Sequence, residues 1–273
     1  MAETETAAST GVARVAAAFA AARAEGRAAL MPYLMGGFPD VETSRAIAIA
    51  YADAGADLIE LGVPFSDPLA DGPVIHDAAT RALAQGATLA DVLDVCASVS
   101  GRVAVVPMIY TNMVLAQSQQ ELASALAEAG AAGVIVPDLP PEEADGLAAA
   151  LDAAGLALVP LAAPTTPPDR LKVIAAAARG FVYVVSDTRV TGERDDVPDG
   201  LADLVGSVRA VASVPVAVGF GIGTPEQAAA VGALADGVIV GTRLVRAAGE
   251  AAGPEAAVGA VTEFLRAARN AMS

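Results

Sequence analysis

The feature that most constrains this chain is a rhythm: runs rich in Val, Ile and Leu recur eight times with helical stretches between them. The runs are Leu30–Met35, Asp57–Leu61, Ala104–Tyr110, Gly133–Val136, Leu156–Leu161, Phe181–Ser186, Val214–Val218 and Gly237–Val240. Strands this apolar need cover on both faces, as in a parallel sheet. Helical patterns at Val41–Ala54, Ala90–Val99, Gln120–Ala129, Glu142–Ala153, Asp169–Ala177, Leu201–Val211, Pro225–Ala233 and Pro254–Ala271 supply it. Strict alternation through eight repeats predicts an α/β chain folded as a (β/α)8 TIM barrel, with an open doubly wound sheet as the alternative. The amphipathic stretch Val12–Ala24 ahead of the first strand predicts an extra N-terminal helix covering the barrel floor. No Pro- or Ser-rich linker divides the chain. Barrels of this kind run to about 250 residues, so residues 1–273 read as one domain, with 1–11 a flexible tail.

Charge and composition exclude several classes. A net charge of −16 repels nucleic acid and anionic membranes, which bind through clustered Lys and Arg. With 55% hydrophobic residues the core can be large, yet no run approaches the roughly 18 uninterrupted apolar residues of a membrane span. The opening MAETETAASTG lacks the positive-then-apolar order of a secretory signal, so the expectation is a cytoplasmic chain. The single cysteine, Cys96, falls inside the helical pattern ADVLDVCASV and reads as a small buried side chain.

In parallel barrels the chemistry sits where strands end and the following loops begin. Here those positions hold Tyr33, Glu60, Asp71, Tyr110, Asp138, Tyr183, Gly219-Phe220-Gly221 and Gly241-Thr242. Glu60 lies in DLIELGVP, and alternation points it the way of Leu58 and Gly62, into the barrel. Burial there disfavours the carboxylate and tunes a glutamate to give and take protons near neutral pH. The plainer alternative is a glutamate satisfied by backbone donors or a strand end reaching solvent. Asp71 closes the Pro- and Gly-restricted loop PFSDPLADGP, which would hold its side chain over the same mouth. Alone it is an ordinary turn aspartate; with Glu60 it makes a pair from which separate acid/base and electrostatic roles can arise.

A phosphate signal appears twice, in AVGFGIGTPEQ and VIVGTRLVRAA, each placing glycine just before a helix start. Helix N-termini offer free N–H groups to an anion, and barrels commonly bind phosphate after their last two strands. A tight turn explains either glycine stretch equally well when taken alone. The only lysine, Lys172, belongs to a helix, which leaves a Schiff-base aldolase without a nucleophile. The only histidine, His76, cannot build a multi-histidine zinc shell and reads as a helix-start surface residue. What remains is carboxylate-driven proton transfer on a phosphorylated substrate, with no metal and no organic cofactor in this chain.

The stretch ELGVPFSDPLADGPVI, Glu60 to Ile75, resembles the hallmark of tryptophan synthase α chains. Similar features recur at Pro32–Asp40 (PYLMGGFPD), Met108–Asn112 (MIYTN), Pro137–Ala144 (PDLPPEEA), Val190–Gly192 (VTG) and Gly219–Ile222 (GFGI). The resemblance implies retro-aldol cleavage of indole-3-glycerol phosphate, with Glu60 moving protons at indole C3 and the glycerol hydroxyl. It implies that Asp71 stabilises charge developing on the indole through its N–H. Tyr33 and Tyr110 would line the indole pocket, with Tyr183 beneath the substrate. Gly192, Phe220, Gly221, Gly241 and Thr242 would surround the phosphate, joined by Thr191 when the loop Asp187–Asp199 closes. The implied partner is a pyridoxal-phosphate β subunit in an α2β2 heterotetramer, with Pro64, Asp67, Asn112 and Pro140 near the shared face. Against many relatives the chain departs at Arg189, at Thr242, which keeps a hydroxyl, and at Phe38. Other readings are a scaffold that mainly activates the β subunit and a different phosphate-binding barrel of the same route.

Overall fold

The computed structural model describes residues 10–185, 200–219 and 221–273. Its strands are β1 (Ala29–Met35), β2 (Leu58–Gly62), β3 (Ala104–Met108), β4 (Gly133–Ile135), β5 (Ala157–Val159), β6 (Leu161–Ala162), β7 (Val182–Val185), β8 (Val216–Gly219) and β9 (Gly237–Val240). The first helices are α1 (Gly11–Ala24), α2 (Val41–Asp53), α3 (Pro73–Ala84), α4 (Leu89–Ser100), α5 (Thr111–Leu115) and α6 (Gln119–Glu128). The rest are α7 (Asp145–Ala153), α8 (Pro168–Ala177), α9 (Leu201–Arg209), α10 (Pro225–Gly232), α11 (Thr242–Glu250) and α12 (Pro254–Ala271).

All pairings are parallel, in the order β5-β4-β3-β2-β1-β9-β8-β7-β6. The count of nine conceals eight staves. β5 and β6 are one stave interrupted by Pro160, whose ring nitrogen has no hydrogen to donate to a ladder. On one side Ala157 N–H donates to Ala132 O at 3.1 Å, and on the other Tyr183 N–H donates to Pro160 O at 3.0 Å. The ring therefore closes through this stave, and the barrel rather than the open sheet is the architecture.

Alternation sorts the strand residues into two cores. Leu30, Leu34, Ile59, Leu61 and Val105 face the surrounding helices, while Met31, Leu58, Val106, Ile135, Val159 and Ile239 fill the barrel. At the floor Ala29, Ala104, Ala157 and Ala217 are small, and Phe19 of α1 meets Phe181 at a centroid distance of 5.6 Å. Gly237 completes this room, since a Cβ there would stand 2.9 Å from the Phe19 ring. Thr10 caps α1 by accepting from Ala13 N–H, and Arg14 donates to the carbonyls of Gly130, Ser100 and Val103. The added helix thus plugs the floor, as the sequence predicts.

Several boundaries differ from the sequence reading. The third strand stops at Met108 because Tyr110 already precedes α5. The second stave is followed by two helices, since α3 forms directly after the DGP turn with Gly72 at its N-cap and Pro73 in its first turn. The helix predicted from Glu142 begins with a 3-10 turn at Pro141–Glu143 before α7. Among the described residues no single helix is long and apolar enough to cross a membrane.

Candidate active site

The open end of the barrel, where the strands finish, holds a pocket lined by residues from the strand ends and the loops that follow them. Glu60 enters it from β2. It is 2% exposed, and its Oε2 is a buried oxygen with no hydrogen-bond partner among the described residues. Burial, reinforced by the nearby charge of Asp71, pushes its pKa up to about 8. Glu60 therefore rests as a neutral acid at neutral pH.

Asp71 reaches the same pocket from the loop after β2. Ala70 N–H donates to the Tyr110 hydroxyl at 3.2 Å, and that hydroxyl is also hydrogen-bonded to the Asp71 carboxyl. Burial pushes Asp71 up to about 6, while the Tyr110 hydrogen bond and the charge of His76 pull the other way. Asp71 is consequently ionised at neutral pH, and the two carboxyls stand in opposite protonation states. Tyr110 in turn stacks on Phe65 at 5.2 Å, so the aromatic pair holds the Asp71 loop in place.

Tyr33 and Tyr183 line the pocket on either side, and both owe their placement to a glycine on the neighbouring strand. A Cβ built on Gly62 would overlap the Tyr33 hydroxyl, and one on Gly219 would overlap that of Tyr183. Desolvation first, then the charges of Glu60 and Asp71, raises both phenols well above their ordinary pKa and keeps them neutral. Met108, Pro137, Leu161, Ile239 and Ile75 complete an apolar lining.

The far rim is formed by Gly219, Gly221, Gly241 and Thr242. The two helix starts read from the sequence are not equivalent. At α10, Thr224 and Gln227 form a capping box, with Gly223 N–H donating to Gln227 Oε1 at 2.7 Å, so that helix satisfies its own first turn. α11 begins at Thr242 with Gly241 at its N-cap and no side-chain cap among the described residues, and both residues line the pocket, which puts the positive end of this helix at the rim. An aromatic body over the apolar lining and an anionic tail at this rim would place the reacting bond beside Glu60.

Of the residues singled out in the sequence, Tyr33, Glu60, Asp71, Tyr183, Gly221, Gly241 and Thr242 line one pocket, and Tyr110 stands behind Asp71. Thr191, Gly192 and Phe220, together with Arg189 and the loop Asp187–Asp199, lie outside the described residues. Asp138 instead ties the loop after β4 to the start of α5, accepting from Thr111 N–H at 2.8 Å and from the Thr111 hydroxyl at 2.9 Å. His76 is exposed in the first turn of α3. Lys172 is an exposed residue of α8 paired with Asp169 at 3.0 Å, and the buried thiol of Cys96 is pushed up to about 12 by desolvation. Among the described residues no group of three or more His, Cys, Asp or Glu is placed to hold a metal ion.

The apolar lining was missed from sequence, although Met108 and Leu161 continue the inward parity of Val106 and Val159. Gly62 and Gly219 were missed as sockets, because only the ring across the strand shows why no side chain fits.

Comparison with known proteins gives this geometry its context. The sequence profile of the family described as tryptophan synthase alpha chain matches residues 19–273. A tryptophan synthase alpha chain of Gloeobacter violaceus is 46% identical over 261 residues, covering 94% of each chain. One from Phenylobacterium zucineum is 50% identical over 242 residues, covering 88% of this chain and 87% of the other. Among solved structures, a chain of Mycobacterium tuberculosis tryptophan synthase superposes with a TM-score of 0.89 at 39% identity, covering 95% of this chain and 98% of that one. The chain belongs to the tryptophan synthase alpha chain family, lyase subunits of tryptophan synthase that cleave indole-3-glycerol phosphate in tryptophan biosynthesis.

Proposed function

We propose that Glu60 is the acid/base of the cleavage and Asp71 its electrostatic partner. The observation that carries this reading is the buried Oε2 of Glu60, without a partner among the described residues, in one pocket with an ionised Asp71. Glu60 gives its proton to indole C3, which makes the ring cationic. Asp71, as a carboxylate, stabilises that charge through the indole N–H. Glu60, now ionised, takes the proton of the glycerol hydroxyl next to the breaking bond. The C–C bond breaks, its electrons return to the indole ring, and the hydroxyl carbon becomes the aldehyde of glyceraldehyde 3-phosphate. One proton is given and one is taken, so Glu60 ends as it began.

Tyr33, Tyr110 and Tyr183 are assigned to the indole, and Gly221, Gly241 and Thr242 to the phosphate, supported by an uncapped α11. Thr191, Gly192 and Phe220 are assigned to the same anion by family resemblance. The chain works as one cytoplasmic domain without a cofactor of its own, beside a pyridoxal-phosphate β subunit in an α2β2 heterotetramer. Pro64, Asp67 and Pro140 belong to loops at the strand ends and Asn112 to α5 after β3, where Leu69 and Leu115 are exposed at 83% and 64%, and this face is assigned to the partner. Mixing the purified chain with indole-3-glycerol phosphate, with and without a β subunit, tests the reading. Indole should appear alone and faster in the complex; no indole in either mixture would leave only an activator of the partner.

A further inference from the structure

Gly62 ends the strand that carries Glu60, two residues further along the same inward face. It is not among the glycines with left-handed backbone, so its conformation does not call for glycine. The reason is steric. A Cβ there would overlap the Tyr33 hydroxyl and stand 2.6 Å from Cζ and 3.0 Å from Cε2. Tyr33 is the Cα partner of Glu60 on β1, and its ring leans across β2 to lie over Gly62. The backbones of both strands are held, so the strain falls on the phenol. Gly36 N–H donates to Gly62 O at 2.8 Å, Val63 N–H to Met108 O at 2.9 Å, and the Tyr51 hydroxyl to Tyr33 O at 3.1 Å.

We infer that Gly62 is a positioning residue for the cleavage: its bare Cα lets the Tyr33 phenol lie across β2 and wall the Glu60 carboxyl off from the water of the barrel mouth. The inference rests on the reading of Glu60 as a buried acid/base. Tyr33 is itself 5% exposed, and its hydroxyl faces the weakly accepting Met35 sulfur at 4.0 Å, so the ring serves as cover. Among the described residues the titratable groups around Glu60 are Asp71 from the loop after β2, Tyr33 from β1 and Tyr183 from β7. Tyr110 and His76 act through Asp71. Burial is the main reason that Glu60 holds its proton so high, so a side chain at position 62 that displaces the phenol must lower that hold.

A double-substitution cycle on the full chain tests this, using Gly62→Ala, Tyr33→Leu and the pair. Each is assayed for indole release and for protonation of Glu60, read from the infrared carboxyl band that Glu60→Gln removes. Gly62→Ala alone should lower kcat by about 10–100-fold, the scale of an ångström-sized misplacement, and move the Glu60 midpoint to lower pH. In the Tyr33→Leu background the same substitution should change kcat by less than about twofold and leave the midpoint in place, because coupled sites are not additive. Equal losses in both backgrounds, or an unchanged rate and midpoint in Gly62→Ala, would overturn the inference. If Gly62→Ala does not fold alone, recovery of soluble protein on adding Tyr33→Leu supports the steric pairing, and failure of both overturns it. Full activity in Glu60→Gln would overturn the acid/base reading as well; an inactive Glu60→Gln beside an unperturbed Gly62→Ala would overturn this inference alone.

Discussion

Asp57 immediately precedes β2 and Glu60 stands in the middle of it, and their surroundings could hardly differ more. Asp57, at the floor, accepts from both terminal nitrogens of Arg27 at 2.6 and 2.9 Å and from Leu30 N–H at 2.7 Å. Arg269 of α12 stands 3.6 Å away and also donates to Gly55 O at 2.7 Å, tying the last helix to the start of β2. Glu60, towards the mouth, is buried like Arg27, at 2% against 8% exposed, but has an oxygen with no partner among the described residues. Buried charge with matched partners stays ionised and fixes geometry; a buried carboxyl without a cation keeps its proton and becomes available for chemistry. The floor therefore closes the barrel, and the mouth is left unneutralised for reaction.

The largest expected effect tests the mouth. Glu60→Gln keeps the shape and removes proton exchange, so steady-state indole formation should fall by about 10²–10⁴-fold, the usual contribution of a general acid/base. Its thermal midpoint should not fall. Retention of more than about a tenth of the activity would dissolve the contrast with Asp57.

Next comes the floor. Asp57→Ala leaves the Arg27 guanidinium buried without its main counter-charge, and denaturant unfolding should show a loss of about 3–5 kcal/mol. The protein that remains folded should keep its kcat. A variant that lost kcat while keeping its stability would show that the floor also takes part in the reaction.

A smaller effect sharpens the assignment of the far rim. Gly221→Asp should raise KM by about tenfold or more through like charge beside the phosphate. Gly101 is the suitable control, since it lies on the helix-to-strand side with φ −71 and open space around its Cα. Gly155, on the same side, has φ +70 and would be strained by any side chain. Gly101→Asp should leave KM alone, and equal shifts at 221 and 101 would remove the positional argument.

The smallest effect is on stability against pH. Glu60 has a raised pKa in the folded chain, so its contribution is fully present below the pH where an unfolded glutamate titrates and is lost as pH rises toward about 8. Asp71 adds a loss in the same direction, complete by about 6. Urea unfolding of wild type should therefore show a falling slope that Glu60→Gln flattens. A stability that rises through this window because of Glu60 would contradict the sign.

Much of this was legible in the sequence for identifiable reasons. Strands buried on both faces announce themselves as apolar runs, which is why eight staves could be counted, and the parity of Leu58, Glu60 and Gly62 is fixed by the two-residue repeat. Parity could not show that Pro160 splits a stave, because a proline at that point breaks the ladder without breaking the apolar run. α3 is only partly legible: the sequence places a helix start at His76, but PVIHDAATRALA follows the DGP turn with no intervening spacer and is not counted among the helical stretches. The sockets at Gly62 and Gly219 depend on a ring arriving from another strand, and the difference between α10 and α11 depends on whether a cap is already made. Such contacts between elements leave no local pattern.

The most direct test of the central claim is the titration of Glu60 in the free chain, followed as the infrared difference between wild type and Glu60→Gln. An uncompensated, desolvated carboxyl should still show its protonated band at neutral pH and lose it with a midpoint near 8. A midpoint near about 4.3, that of a glutamate in water, would mean that Glu60 is solvated or paired, and that the mouth of this barrel is no different from its floor.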